Sequence, residues 1–143
     1  MLRLTKKLLF GIEAVLDVAY NAKARPVQAS AITKRQGIPK RYLEQVLQAL
    51  VRAGVLTGQR GPKGGYRLAR DPESITIAEI VNIVRTIEVA PDPLTGAPAS
   101  ALGHRIVRPI WMDLQTELLE RLGKTTLAEL VARAREAGVE SET

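Results

Sequence analysis

Arg60-Gly61-Pro62-Lys63-Gly64-Gly65 constrains this chain more than any other stretch of it. Three glycines and a proline in so few residues tolerate dihedrals that most side chains refuse, so no regular helix passes through. Short strand-like runs flank it, Val55-Leu56-Thr57-Gly58-Gln59-Arg60 before and Tyr66-Arg67-Leu68-Ala69-Arg70 after. The segment is expected to be a β-hairpin with a basic tip carrying Arg60 and Lys63.

What precedes the hairpin is helical. Leu8, Ile12, Val15, Leu16 and Ala19 recur at helical spacing, with Lys6, Lys7, Glu13 and Asp17 between them, which predicts an amphipathic helix over residues 6–22. Arg25-Pro26 breaks it. A short helix over 29–36 is expected to stop at Gly37, and Pro39 suits the first turn of a third. Leu43, Val46, Leu47, Leu50 and Val51 form the expected buried stripe of that helix, and Gly54 ends it. Helix, short helix, glycine turn, helix and basic hairpin follow in the order of a winged helix-turn-helix.

The remainder is helical too. Thr76 and Glu79 have capping-box spacing ahead of Ile80, Val81 and Val84. Residues 89–103 hold three prolines and two glycines, an expected long loop. A longer helix is predicted over 104–122, with Val107, Trp111, Leu114, Leu118 and Leu122 along one side and Pro109 in its first turns. Gly123 is expected to terminate it. Thr126 and Glu129 open a last amphipathic helix carrying Leu127, Leu130 and Val131, and the tail from Glu140 is expected to fray. The fold class is mainly α with a small β-hairpin wing. Its expected parts are a winged helix-turn-helix domain over 1–87, a loop over 88–103, and the long helix with a C-terminal helix over 104–137.

Charge separates the two halves. Residues 1–70 hold 14 Lys and Arg against Glu13, Asp17 and Glu44, a net of +11, and residues 71–143 carry a net of −5. A basic half joined to an acidic half points to a polyanion at one end only. No apolar run reaches the roughly 20 residues of a membrane span, so the chain is expected to be soluble and cytoplasmic. There is no cysteine and one histidine, His104. Thiolate metal sites, disulfides and thiol nucleophiles are thereby removed, and no cofactor is expected. An enzyme is disfavoured because no triad or acid–base pair suggests itself. Gly123-Lys124-Thr125 lacks the earlier glycine of a phosphate loop and joins two helices.

Lys40, Arg41, Tyr42, Glu44 and Gln45 fall in the first turns of the third helix, the end that meets base edges in such folds. Arg and Gln pair with guanine and adenine, and a carboxylate accepts from the cytosine amino group. Arg60 and Lys63 suit phosphates or a narrow minor groove. Taken singly, each residue also fits a solvated polar face; the ordered set with its basic bias favours duplex DNA. The competing class is a protein-interaction module acting through the apolar and acidic C-terminal half. A small-molecule or protein effector is compatible with either.

These residues also carry a resemblance. Arg3-Leu4-Thr5, Leu16-Asp17-Val18-Ala19, Gln36-Gly37-Ile38, Tyr42-Leu43-Glu44-Gln45, Arg60-Gly61-Pro62-x-Gly64-Gly65-Tyr66 and Thr126-Leu127-x-Glu129-Leu130 stand in the order of the Rrf2 family. This chain resembles those bacterial winged-helix regulators over almost its whole length. The resemblance implies a homodimer paired through the helix at 104–122, acting as a regulator, expected to be a repressor, on a pseudo-palindromic operator. It implies that Tyr42, Glu44 and Gln45 lie on the recognition helix and that Arg60 reaches the minor groove. Independently, the wide apolar face of 106–122 is hard to cover within one small chain. The resemblance makes 88–103 the sensing segment and 104–137 the dimerisation part, and it is in the former that the sequence departs from the family. Cluster-binding members carry three cysteines before the long helix; here that loop has none, and Arg108 stands three residues before Trp111, where at least one member has histidine. A hard-ligand set of Glu88, Asp92 and His104 is the weak remaining metal reading.

Overall fold

The computed structural model describes residues 5–88 and 100–141. Helix α1 (Lys6–Asn21) starts where Thr5 accepts the Leu8 amide on its hydroxyl at 3.1 Å, satisfying an amide that the first turn cannot pair. Helix α2 (Ala29–Gln36) ends at Gly37, whose φ of 66° is left-handed and suits a residue without Cβ. Pro39 stands at the N-cap of α3 (Lys40–Arg52). The helices α4 (Ile77–Arg85) and α6 (Leu127–Glu136) begin at Thr76 and Thr126, which cap Glu79 and Glu129 through bonds of 3.2 Å each.

Strands β1 (Leu56–Gln59) and β2 (Gly65–Leu68) form the antiparallel hairpin, with Leu56 opposite Leu68 and Gln59 opposite Gly65. The base of the wing is fastened to the connection between α1 and α2. Val27 and Tyr66 exchange both backbone bonds, at 2.7 and 3.0 Å. Gly65 permits this: a Cβ there would lie 2.5 Å from the Val27 carbonyl oxygen, and its φ is 151°. Arg67 adds two side-chain bonds to the carbonyls of Lys23 and Ala24, at 2.6 and 2.9 Å.

One core joins α1, α2, α3, α4 and α6. Val15, Val18, Ile32, Leu43, Leu47, Leu50, Ile80 and Leu127 are shielded from solvent within it. The expected division of the chain put the last helix with the long one. Its side chains instead complete the first domain: Leu127 and Val131 are buried, and α6 packs on α1. The turn before it pairs with the start of α4, Ile77 N–H to Thr125 and Leu127 N–H to Ile75, both at 2.9 Å. The tail follows α1 as far as Ser141, where Lys23 donates to the Ser141 hydroxyl at 3.1 Å, and Tyr20 donates to the Val139 carbonyl. Glu140 and Ser141 are thus held over α1, while the final two residues of the expected frayed tail lie outside the described ones.

The long helix, α5 (Arg108–Lys124), differs from its expected form at both ends. A wide π-type turn over Gly103–Val107 precedes it, closed by the Arg108 N–H on the Gly103 carbonyl. Proline has no N–H to give and its ring crowds the carbonyl four residues back, so a widened turn just before Pro109 relieves both. At the other end Gly123 lies inside the last turn and the helix stops at Thr125. The expected loop over 88–103 falls mostly on residues 89–99, outside the described ones, and its last residues are already helical.

Candidate nucleic-acid interface

Helix α3 is sharply two-faced. Tyr42, Leu43, Val46, Leu47, Ala49 and Leu50 are buried, while Lys40, Arg41, Glu44, Gln45, Gln48 and Arg52 are exposed. Burial of the first set anchors the helix, so the second stands on a rigid support rather than on a loop. Four of the five residues expected to read bases share that open face: Lys40, Arg41, Glu44 and Gln45. Among the described residues no ion pair holds Glu44, which leaves its carboxylate free to accept from a ligand.

Tyr42 is a correction. It is 9% exposed and donates its hydroxyl to the Lys7 carbonyl at 2.6 Å. Burial, and then the charge of Glu88, push its hydroxyl up to a pKa of about 12. The ring is a core residue joining α3 to α1 and does not face outward to a base. Val51 is the converse: expected in the stripe, it is 37% exposed and faces the wing, and Ala49 takes the buried place.

Arg60 and Lys63 lie exposed at the tip of the wing. Gln28 holds that tip by donating to the Pro62 carbonyl at 3.0 Å. A groove of about 690 Å³ runs between the wing and the second half of α3, with the start of α2 along its rim. Gln48, Arg52 and Gln59 line it beside Arg60, with Ser30 at the start of α2. Gln48, Arg52 and Gln59 are lining residues beyond those expected from the sequence. The signal was present for two of them: Gln48 and Arg52 continue the Arg41–Glu44–Gln45 face at steps of three and four.

A buried ion pair fastens α2, which packs on α3, to α1. Asp17 of α1 is 2% exposed and accepts from Arg35 of α2 at 2.7 and 2.9 Å and from Gln36 at 2.9 Å. The fork is bidentate, the geometry that suits a guanidinium best, and it fixes α2 on α1 beside the turn that launches α3.

Helix α5 presents the opposite chemistry. Val107, Trp111, Leu114 and Leu118, four of the five residues expected at a dimer contact, are exposed, Trp111 to 56%. Leu102, Ile106 and Ile110 widen the apolar surface. Leu122 is a correction: with Leu119 it is partly buried against the chain's own core, where the last turns of α5 pack on α4.

The donor set for a metal is poor. The chain holds no cysteine, and no three of His, Cys, Asp and Glu gather among the described residues. His104 is exposed beside Arg105, and Asp92 lies outside the described residues. A thiolate-held iron–sulfur cluster does not fit these residues. No helix among the described residues is long and apolar enough to cross a membrane.

Comparison with known proteins agrees with this geometry. Residues 4–133 match the Rrf2 family, described as "Iron-dependent Transcriptional regulator". The HTH-type transcriptional regulator IscR of Escherichia coli O1:K1 is 37% identical over 131 residues, covering 91% of this chain and 80% of that protein. Among solved structures, T. potens IscR superposes with a TM-score of 0.75 at 29% identity, covering 97% of this chain and 93% of that one. CymR of B. subtilis, titled the global cysteine regulator, gives 0.72 at 25% identity, covering 93% and 98%. These relatives are regulators and not enzymes. The chain belongs to the Rrf2 family of winged-helix transcriptional regulators.

Proposed function

We propose that this protein is a sequence-specific DNA-binding repressor that acts as a homodimer on a pseudo-palindromic operator without an iron–sulfur cluster. The observation that carries the reading is the open face of α3, where Lys40, Arg41, Glu44 and Gln45 stand exposed beside a wing held in place at Pro62. A rigid helix with Arg, Gln and a carboxylate on one face has the donors and acceptors to tell major-groove edges apart. Arg60 and Lys63 at the wing tip supply cations for the flanking backbone or minor groove.

The dimer follows from α5. Trp111, Val107, Leu114 and Leu118 are all exposed, with Leu102, Ile106 and Ile110 beside them, an apolar surface of the kind that marks an interaction site. A two-fold pairing of this helix with its twin covers it and presents two copies of α3 to one duplex. The absence of cysteine supports independence from a thiolate-held iron–sulfur cluster. Any effector is then a small molecule or a protein acting near residues 88–103.

The testing experiment is a footprint with purified, metal-free protein on the promoters it occupies in its host. Protection of two dyad-related half-sites by two protomers is expected. Binding that appears only after cluster reconstitution overturns the iron-independent part, and protein that protects no DNA overturns the whole.

A further inference from the structure

Helices α1 and α3 both begin with cations and with no acid in the first turn: Lys6 and Lys7 on one, Lys40 and Arg41 on the other. This opposes the helix dipole, whose positive end favours acids. Two cations at each of two neighbouring helix starts leave a concentrated positive charge open to an external anion.

The two starts are neighbours because Tyr42, in the first turn of α3, bonds the Lys7 carbonyl. The Lys7 ammonium lies 5.7 Å from the centre of the Tyr42 ring, and the Lys6 ammonium 5.7 Å from that of Phe10. The two rings are themselves 6.3 Å apart, tilted by 49°. Each ammonium is therefore held against an aromatic face while remaining exposed. Neither is ion-paired to a described residue. The end of α1 is pinned as well, since Thr5 caps Leu8 and donates to Glu88 at 2.8 Å.

We propose that Lys6 and Lys7 form a second phosphate-binding pair of the DNA interface, gripping the duplex backbone beside the leading end of α3. The wing faces Gln48 and Arg52, towards the other end of the helix. The backbone is then held at both ends of α3, by α1 at its start and by the wing along its second half. The rings restrict the lysine rotamers before DNA arrives, so less freedom is lost on binding. This pair reads no bases; it sets register and supplies affinity. The inference rests on the proposed DNA-binding function and adds residues to it.

The test is the salt dependence of binding, by fluorescence anisotropy, on a duplex selected by the wild-type protein and on a scrambled duplex of equal length. The double variant Lys6→Gln/Lys7→Gln should lower the slope of log K against log salt by about two per protomer, equally on both duplexes. Preference between the duplexes should not change. Lys6→Arg/Lys7→Arg should restore the slope, and Lys124→Gln, a charge loss at the end of α5, should leave it unaltered. An unchanged slope in the Gln variant, with wild-type binding intact, overturns this pair and spares the proposed function. An equal fall with Lys124→Gln shows a net-charge effect and overturns it too. Loss of binding to anionic phospholipid vesicles with no change on DNA reassigns the lysines to a membrane surface. Wild-type protein that binds neither duplex overturns both proposals.

Discussion

Arg35 closes a two-bond fork on Asp17, at 2.7 and 2.9 Å, with the carboxylate out of reach of solvent. Gln36 fills a further acceptor position, so the buried charge is both paired and hydrogen-bonded. Such a pair adds little net stability compared with apolar packing, but breaking it strands a charge. Arg35→Ala, which leaves the Asp17 carboxylate buried without its cation, should cost about 3–5 kcal/mol, read as a lower urea midpoint with the denaturant slope unchanged. A loss below about 1 kcal/mol contradicts the arrangement, because that is the range of exposed pairs.

Tyr42 gives a pH signature. Its hydroxyl is held neutral by burial and by Glu88, and its pKa is raised from 10.0 to about 12. A group with a raised folded-state pKa contributes stability that is complete below the unfolded value and is lost as pH climbs through the folded one. The window is therefore pH 10 to 12, and the amount is about 2–3 kcal/mol. Wild-type stability should fall through this window by more than that of Tyr42→Phe. At neutral pH the Phe variant should be less stable by about 1–2 kcal/mol for the lost bond to Lys7. Parallel curves for the two proteins across the window refute the assignment.

Much of this was legible in the sequence. The order of helices, the glycine stop at Gly37, the caps at Thr76 and Thr126, and the wing are local features, set by residues within a turn of one another. What sequence could not give is which side of a helix meets which neighbour. Tyr42 is polar at one end and was read as facing DNA; α1 supplies a carbonyl for its hydroxyl from 35 residues away. Leu122 continues the apolar row of Trp111 and Leu118, yet it is partly buried against the chain's own core while Trp111 and Leu118 stay exposed, so a single stripe serves two surroundings. Asp17 looked like a solvated residue of an amphipathic helix because its partner, Arg35, belongs to another element.

The contrast between the exposed side of α5 and the closed core that Leu127 of α6 completes predicts two different phenotypes. Trp111→Glu should leave the unfolding free energy of the monomeric fold within about 0.5 kcal/mol of wild type, as surface changes do, while shifting sedimentation equilibrium to the monomer. Leu127→Ala, in the closed core, should cost about 2–5 kcal/mol and leave association intact in whatever fraction remains folded. A Trp111→Glu protein that still sediments as a dimer removes α5 from the interface.

Glu44 and Arg60 should separate reading from holding. Arg60→Ala removes a cation at the wing tip and should weaken specific binding by about 1–3 kcal/mol, seen in a titration at fixed salt. Glu44→Ala should widen the set of sequences bound without weakening general affinity, because a carboxylate repels phosphates and its use is discrimination. Identical selected motifs for wild type and Glu44→Ala would show that the carboxylate does not read bases.

The proposed reading has two copies of α3, joined through α5, on one duplex without an iron–sulfur cluster. Selection of duplexes from a randomised pool by metal-free wild-type protein tests it most directly. The expected result is one enriched motif with two inverted half-sites spaced by about one helical turn, 10–10.5 base pairs. A pool that shows no enrichment, or a motif without a dyad, contradicts it.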